Sequence, residues 1–333
     1  MPVSLKDVAS VAGVSIKTVS NVVNEYPFVR AETRARVQAV IEQLGYRPNL
    51  SARRLRSGRT GLITLSLPEL TPYFAELAEH IAVVAEAAGL TVLIDRTGGE
   101  RDHERLSASG IRRDLSDGTI ASPMSMTPAD LERLRPGHPI VLLGERLSYV
   151  GVDHVAVDSI AAARTATGHL IERGRRAVAA VGTARRPAGT IAQRQRGYRE
   201  ALRDAGLPVE RSLMGDAELL HREDGYRAMQ ALLQQRPDLD AAFCFNDLLA
   251  FGALRALDEA GRRVPDDVAV VGFDDVEECR FSTPPLSSIA PDKRELASTA
   301  VQLLQQRIAG LGPTEPQEVF PPFRLRVRAS SGG

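Results

Sequence analysis

Short apolar runs alternate with amphipathic stretches over most of the chain, from about residue 60 onwards. Most of the stretches between the runs carry apolar residues at the spacing of helices that are buried on one face. Continuous apolar runs of this kind are typical of parallel strands in a sheet that helices cover on both faces. The pattern predicts strands at 62–67, 91–94, 119–121, 140–143, 155–157, 177–181, 241–245 and 268–271, and helices that include 159–173, 191–205, 225–235 and 248–260.

This α/β body is about 270 residues long, which is long for one doubly wound sheet, so we predict two parallel sheets with a cleft between them. Ligands of open α/β sheets bind outside the carboxyl ends of the strands. Polar residues directly follow several of the apolar runs: Asp95, Arg96, Ser122, Glu145, Arg146, Asp158, Asn246, Asp247, Asp274 and Asp275. Such groups around one cleft suit a ligand with many hydroxyl groups, such as a sugar. Asp and Asn at strand ends are also common helix N-caps, and that structural role stays open for each residue singly.

The first 46 residues have a different pattern, with helical periodicity over 5–12, 15–23 and 31–44. Ser4 and Asp7 match a capping box before the first stretch, and Gly13 and Gly45 are residues that end helices. Two short helices joined by a tight glycine turn, with a third helix behind them, are typical of a helix-turn-helix motif. An ordinary three-helix cap with a solvated polar face is the alternative.

In a helix-turn-helix motif the second helix enters the major groove of DNA with its exposed face toward the bases. The residues that we expect on that face are Ile16, Lys17, Ser20 and Asn21. We expect base contacts from Ile16 to a thymine methyl group, from Lys17 to guanine and from Asn21 to adenine. Short hydroxyl and amide side chains suit phosphate oxygens, and the predicted phosphate contacts are Ser4, Ser15, Thr18, Ser20, Asn24, Thr33 and Asn49.

The distribution of charge favours a DNA partner for this segment alone. The whole chain has 42 Lys and Arg against 42 Asp and Glu. Residues 1–60 contain ten basic and four acidic side chains, whereas the rest of the chain contains 32 and 38. A basic segment on an acidic body predicts a polyanionic partner for the basic segment.

Residues 47–59 form a predicted hinge helix or linker. Asn49 follows a proline and can begin a helix, while Gly58 can end it. A helix this short is marginal in water, and its arginines repel one another unless a polyanion is present. We therefore expect the hinge to fold on DNA, with Ala52 and Leu55 at the minor groove and Leu55 as a wedge between base steps. Packing of Leu55 against the next domain is the alternative.

These segments together resemble the lactose repressor/galactose repressor (LacI/GalR) family. The resemblance rests on residues 3–9, 13–24, 44–49 and 52–55, and in the body on 168–174, 197–202, 245–247, 271–275 and 284–289. It implies a helix-turn-helix DNA-binding domain at 1–46, a hinge at 47–59, and an effector-binding and dimerisation core at 60–333 that is similar to periplasmic sugar-binding proteins. In that core, three crossovers join an N-subdomain (about 60–158 and 291–320) to a C-subdomain (about 159–290 and 321–330), with the effector between them.

The resemblance also implies site residues. The positions that match effector-binding residues of the family are Phe74, Arg146, Arg194, Leu220, Asn246 and Asp274. Ile16 and Lys17 stand at the two positions that vary between members and define the operator of each member. Two residues depart from the family pattern. Asn21 stands where many members carry an arginine that reads a base, and Leu220 stands where several members present an aromatic ring to the effector.

Other classes of chemistry find no support in the sequence. The chain lacks the GxGxxG, Walker A, HExxH and GxSxG motifs, and its six histidines and two cysteines lack metal-ligand spacing. We therefore expect no enzyme activity, metal or cofactor, a structural role for His169, and buried free thiols at Cys244 and Cys279. No apolar run reaches the roughly 18 residues of a membrane helix, and the first residues lack the apolar region of a signal peptide, so we expect a cytoplasmic, nucleoid-associated protein without a membrane partner.

The combined prediction is a transcriptional regulator, a repressor, that binds a palindromic operator as a homodimer. A small-molecule effector of the carbohydrate class would bind between the subdomains, change the angle between them and so alter the order of the hinges. Two other classes compete with this interpretation. A solute-binding protein would need export and no basic head, and an architectural DNA-binding protein would need no cleft.

Overall fold

The computed structural model describes residues 3–23, 26–46, 59–108, 115–133, 138–144, 151–313 and 315–333. The chain divides into two units, Met1–Thr60 and Gly61–Gly333. Most of the predicted hinge lies outside the described residues, as do five predicted site residues: Asn24, Asn49, Ala52, Leu55 and Arg146.

The described residues of the first unit form three helices: α1 (Leu5–Ala12), α2 (Ile16–Val23) and α3 (Ala31–Leu44). The predicted capping box is present, since the Ser4 amide donates to Asp7 Oδ2 over 2.8 Å and the Asp7 amide donates to Ser4 Oγ over 3.4 Å. Gly13 ends α1 with a φ of 64°, a left-handed conformation that favours glycine. The helices enclose a small apolar core of Val8, Ala9, Ala12, Val19, Val22, Val37, Val40 and Tyr46. The predicted helix-turn-helix arrangement is confirmed.

The second unit is built from strands that mostly alternate with helices. In chain order its elements are β1 (Leu62–Leu67), α4 (Pro72–Ala87), β2 (Thr91–Arg96), α5 (Arg101–Ala108), β3 (Gly118–Ala121), α6 (Pro128–Glu132), β4 (Ile140–Leu143), β5 (Asp153–Val155), α7 (Ser159–Glu172), β6 (Val178–Thr183), α8 (Gly189–Asp204), β7 (Met214–Asp216), α9 (Arg222–Gln235), β8 (Ala241–Cys244), α10 (Asp247–Glu259), β9 (Ala269–Phe273), β10 (Ser287–Pro291), α11 (Lys293–Ala309), β11 (Glu318–Val319) and β12 (Phe323–Arg326).

The strands form two six-stranded sheets, as the α/β prediction requires. The first sheet has the order β11-β5-β4-β3-β1-β2, and all its pairs are parallel. The second sheet has the order β12-β10-β9-β8-β6-β7 and is parallel except for the antiparallel pair of β10 and β12. The chain passes between the sheets three times, after β5, after β10 and after β11. Helix α11 therefore packs on α4 and on the first sheet, although β10 before it belongs to the second sheet.

Helices α9 and α10 approach each other closely beside the second sheet. A Cβ atom on Gly252 would lie 1.9 Å from the Arg222 carbonyl oxygen, and one on Gly225 would lie 2.1 Å from the Leu249 carbonyl oxygen. Only glycine permits backbones to come this close. The contact brings the beginning of α10, which follows β8, close to the beginning of α9.

The apolar pattern does not predict β7, β10, β11 and β12. Strand β10 is fully buried but carries two serines, and β12 alternates arginine with apolar residues at the edge of the sheet. The buried Ser287 and Ser288 hydroxyls find partners in Ser331 and Asp247, which are distant in sequence. Because those partners come from tertiary contacts, local periodicity gives no sign of these strands. The strand predicted at 155–157 is also misplaced, since β5 ends at Val155.

Candidate functional site

The surface of α2 carries two of the predicted base-reading residues in accessible positions. The Ile16 side chain is 44% exposed, Lys17 is exposed, and Asn21 is half-buried. Ser15 caps the helix, because its hydroxyl accepts a hydrogen bond from the Thr18 amide over 3.1 Å. Ile16 and Lys17 lie in the first turn of α2, whose buried side packs on the small core. Their side chains are therefore available to a partner.

Ser20 does not lie where we expected it. The prediction that it belongs to the exposed face of α2 is wrong, because it is 5% exposed and buried together with Val19 and Val22. A small side chain fits the buried side of this helix. The phosphate contact that we assigned to Ser20 stays a prediction, and it would require access to a hydroxyl that the fold covers.

The remaining described phosphate candidates lie at the beginnings of helices. Ser4 is exposed, but its hydroxyl donates to Asp7 Oδ2 over 2.7 Å, so a phosphate would compete with the capping box. Thr18 and Thr33 are half-buried in the first turns of α2 and α3. Backbone amides at helix N-termini favour anions, so these positions suit phosphate oxygens.

Among the predicted effector residues that the structure describes, Arg194 is the most enclosed. It lies on α8, is 6% exposed, and its guanidinium carbon is 3.5 Å from the centroid of the Phe273 ring. It donates to the carbonyl oxygen of Phe245, and its Nε lies 3.4 Å from the Ser159 hydroxyl. Its Nη2 lies 3.9 Å from Asp274 Oδ1. A planar cation stacked on an aromatic ring is held in one orientation, which prepares its remaining donors for a ligand.

Asn246 joins this group from the end of β8. Its Oδ1 accepts from the Leu249 amide over 2.8 Å and so caps α10, while its Nδ2 donates to the Leu220 carbonyl oxygen over 2.8 Å. The capping role that the sequence left open is therefore real. Leu220 is half-buried just before α9, and it contributes its backbone carbonyl to this contact.

Asp274 follows β9 in an unusual backbone conformation. Its φ angle is 109° and that of Asp275 is 46°, two non-glycine residues in the left-handed region. The Asp274 amide donates to the Ile289 carbonyl oxygen over 2.8 Å. Strained backbone of this kind persists where the surroundings hold it, and it clusters at ligand sites. The structure thus gathers Arg194, Leu220, Asn246 and Asp274 at the carboxyl edge of the second sheet.

Phe74 lies on a helix that follows β1 of the first sheet. It lies near the beginning of α4, is half-buried, and packs edge-to-face on Tyr73 with 5.3 Å between ring centroids. Among the described effector candidates, Phe74 is the one that belongs to the half of the core with the first sheet. The effector roles of all these residues remain predictions.

Several polar contacts that the sequence did not predict join the two sheet layers. His221 Nε2 lies 2.8 Å from Glu69 Oε2, and the Glu277 amide donates to Glu76 Oε1 over 2.9 Å. Lys293 forms an ion pair with Glu76 and donates to the Asp275 carbonyl oxygen over 3.0 Å. The scarcity of lysine, of which the chain has three, marks Lys293 as unusual, but nothing in the sequence indicates its partner.

Other polar groups of the second unit have structural partners. His169 Nε2 lies 2.8 Å from the Ser331 hydroxyl, and burial lowers the pKa of His169, with Arg173 adding to the effect. Cys244 and Cys279 are buried thiols that are not part of a disulfide.

The described residues include neither a metal site nor a membrane helix. Among them, no cluster of three or more His, Cys, Asp or Glu side chains could hold a metal ion, and no helix is long and apolar enough to cross a membrane.

Comparison with protein families gives two matches. Residues 4–49 match the lacI family of bacterial regulatory proteins, and residues 167–331 match a periplasmic binding protein-like domain. The chain is 33% identical over 342 residues to the HTH-type transcriptional regulator CelR of Thermobifida fusca, covering 98% of both chains. It is 34% identical over 312 residues to the HTH-type transcriptional repressor PurR of Pectobacterium carotovorum, covering 92% of this chain and 90% of that one.

Solved structures agree with these matches. A CelR–cellobiose complex is 32% identical, with a TM-score of 0.73 over 98% of this chain and 99% of that one. The Lac repressor dimer bound to operator and the anti-inducer ONPF is 26% identical, with a TM-score of 0.85 over 99% of both chains. The predicted resemblance is confirmed: the chain belongs to the LacI family of bacterial DNA-binding transcriptional regulators.

Proposed function

We propose that this protein is a repressor that binds a pseudo-palindromic operator as a homodimer and is controlled by a carbohydrate effector bound between the two sheets. The observation that carries the proposal is the convergence of Arg194, Asn246 and Asp274 at one sheet edge, in a chain whose first unit is a helix-turn-helix. A DNA-binding motif and a candidate ligand site thus occur in one polypeptide. The simplest use of this combination is control of DNA binding by the ligand. We propose no catalytic role, cofactor or metal for the chain.

The chemistry of the cleft favours a ligand with many hydroxyl groups. A guanidinium group donates, a carboxylate accepts and a carboxamide does both, so together they can bind the hydroxyls of a sugar in fixed orientation. Phe74, half-buried on the opposite side, offers an apolar surface. Cellobiose is the first candidate to test, since the CelR structure is a complex with that disaccharide.

The DNA half of the proposal rests on α2. Ile16, Lys17 and Asn21 present an apolar group, a donor and an amide, which are the groups that distinguish bases in the major groove. Hinges at 47–59, with Ala52 and Leu55 in the minor groove, would join each head to its core. A regulator of this kind acts on the chromosome, so we propose that it works in the cytoplasm at the nucleoid.

Exposed apolar residues on the first sheet support a homodimer. The outer strand β2 leaves Leu93 39% and Ile94 53% exposed, and Val83 on the neighbouring helix α4 is 60% exposed. An uncovered edge strand with apolar side chains is a surface that proteins normally protect. A second copy of the chain would protect it, and the Lac repressor neighbour is a dimer.

Selection of bound duplexes from a random DNA library by the full-length chain tests this function. We expect an enriched inverted repeat, and we expect Lys17→Ala to relax the preference at one position of each half-site. Sedimentation of the same sample should report a dimer. A folded chain that enriches no sequence at low salt, where phosphate contacts are strongest, with or without added sugars, would refute the proposal.

A further inference from the structure

Asp247 is a buried carboxylate that the proposed effector contacts do not include. It is the first residue of α10, directly after Asn246, and it is 1% exposed. An acidic side chain is rarely buried to this extent unless its oxygens have partners. Its partners therefore indicate what it does.

Both oxygens of Asp247 hold the segment that follows Asp274. Oδ2 accepts a hydrogen bond from the Val276 amide over 3.0 Å, and Oδ1 accepts from the Ser288 hydroxyl over 2.6 Å. The Ser288 oxygen in turn accepts from the Asp275 amide over 3.1 Å. Asp247 thus fixes the two amides after Asp274, one directly and one through Ser288.

This segment needs such support. Asp274 and Asp275 both have positive φ angles, which side chains other than glycine rarely adopt without help from their surroundings. The neighbouring Gly272 leaves room for the carboxylate, because a Cβ atom there would lie 2.2 Å from Asp247 Oδ1. The absence of a side chain at Gly272 therefore lets the Asp247 carboxylate lie directly against the strand that leads to Asp274.

We propose that Asp247 is a positioning residue of the effector site. It connects the beginning of α10, where Asn246 lies, to the segment that presents Asp274, and so fixes the separation of two effector-binding side chains. This role rests on the proposed function of Asn246 and Asp274, but the connection itself exists without any ligand.

The surroundings of Asp247 indicate that hydrogen bonding, rather than charge, performs this role. Burial, and secondly the Asp274 carboxylate, raise the pKa of Asp247. When the carboxyl is protonated, one oxygen still accepts from the Val276 amide and the other donates to the Ser288 oxygen instead of accepting from it, which is the pattern of an asparagine side chain. Asparagine can therefore accept from the Val276 amide and donate to the Ser288 oxygen, whereas alanine can do neither.

Amide hydrogen exchange of the ligand-free protein, together with calorimetric titration of cellobiose, tests the proposal in four variants. In Asp247→Ala and in Ser288→Ala, we expect faster exchange of the Asp275 and Val276 amides and about tenfold or greater loss of cellobiose affinity. Asp247→Asn should keep both properties close to those of the unchanged chain. Asp153→Ala is the matched control. Asp153 is 2% exposed and also accepts from a backbone amide, that of Gln317, but it lies at the start of β5, away from the carboxyl edge.

The outcomes separate this role from the proposed function. Unchanged exchange of the Asp275 and Val276 amides in Asp247→Ala, or equal acceleration in Asp153→Ala, would overturn the proposal. Losses in Asp247→Asn as large as those in Asp247→Ala would also overturn it. If the unchanged chain binds neither cellobiose nor any other sugar of a panel, the carbohydrate proposal fails, and the exchange measurement still decides the role of Asp247.

Discussion

Single residues at the carboxyl edge of the second sheet serve the fold and the proposed site at once. Asn246 caps α10 and bonds to the Leu220 carbonyl, and Arg194 stacks on Phe273 while it lies 3.9 Å from Asp274. The rule that ligands bind at the carboxyl ends of strands placed Asn246 and Asp274 among ten candidate residues, and the family resemblance selected these two from that set. It could not predict the pair of Glu76 and Lys293, whose positions are 217 residues apart, because only the finished fold brings them together.

Replacement of Asp274 separates ligand binding from DNA binding. We expect Asp274→Ala to abolish the response of operator binding to the effector, because an acceptor for ligand hydroxyls is lost, while the effector-free protein binds operator normally. Fluorescence anisotropy of labelled operator, with and without sugar, measures both. Asp258→Ala, an exposed carboxylate on α10, is the control. A normal response in Asp274→Ala would remove this residue from the site.

His169 gives the protein a dependence of stability on pH. Its pKa is lowered in the folded state, so on acidification the unfolded chain takes up this proton before the folded chain does. The free energy of unfolding should therefore fall as the pH falls below about 6.5, and this contribution is fully present above that value. Urea unfolding at pH 7.5 and 5.5 should show a smaller difference for His169→Gln than for the unchanged chain. His103→Gln, at a largely exposed histidine, is the control substitution.

Several elements of secondary structure followed the apolar pattern of the sequence. Strands β1 and β4 occur at the predicted residues, and α3 covers 31–44 as expected. Strands β7, β10 and β12 escaped prediction because they are short or because their polar residues are satisfied by tertiary contacts. The antiparallel pairing of β12 with β10 likewise depends on the return of the chain from the first sheet, which no local pattern encodes.

Replacement of glycine by alanine should have opposite effects on stability at Gly252, where α10 approaches α9 closely, and at Gly168, which lies in open space on α7. Gly252→Ala should destabilise the protein by about 1–3 kcal/mol, because the new methyl group would overlap the Arg222 carbonyl and force the helices apart. Gly168→Ala, on α7, should stabilise it by about 0.5–1 kcal/mol, since the site is open and alanine favours helix. Urea unfolding measures both changes in the free energy of unfolding. Changes of the same sign in the two variants would contradict this explanation of the helix contact.

The hinge element can be tested although it lies outside the described residues. We expect Leu55→Ala to weaken specific operator binding by about tenfold or more, because a wedge that bends the DNA would be lost. Affinity for the effector should stay nearly unchanged. Leu311→Ala, at a leucine that is 81% exposed on the second unit, should alter neither property. Unchanged operator affinity in Leu55→Ala would exclude the role of a wedge.

Control of the protein by a ligand between the sheets would depend on the link between the two sheet layers. Glu69 with His221, and Glu76 with Lys293 and the Glu277 amide, join the layers beside the proposed site. A ligand shifts the equilibrium between two arrangements only if it binds one of them more tightly. The length of the body and the charge asymmetry were enough to predict two sheets and a basic head, but these joining contacts could be found only in the folded chain.

We expect ligand binding at the proposed effector site to change the affinity of the protein for DNA. A titration of the selected operator with the full-length protein, in the presence and absence of cellobiose and of each sugar that calorimetry finds bound, tests this coupling. We predict that at least one bound sugar changes the operator Kd by about fivefold or more. An identical Kd with and without every sugar that binds would contradict control of DNA binding by a carbohydrate.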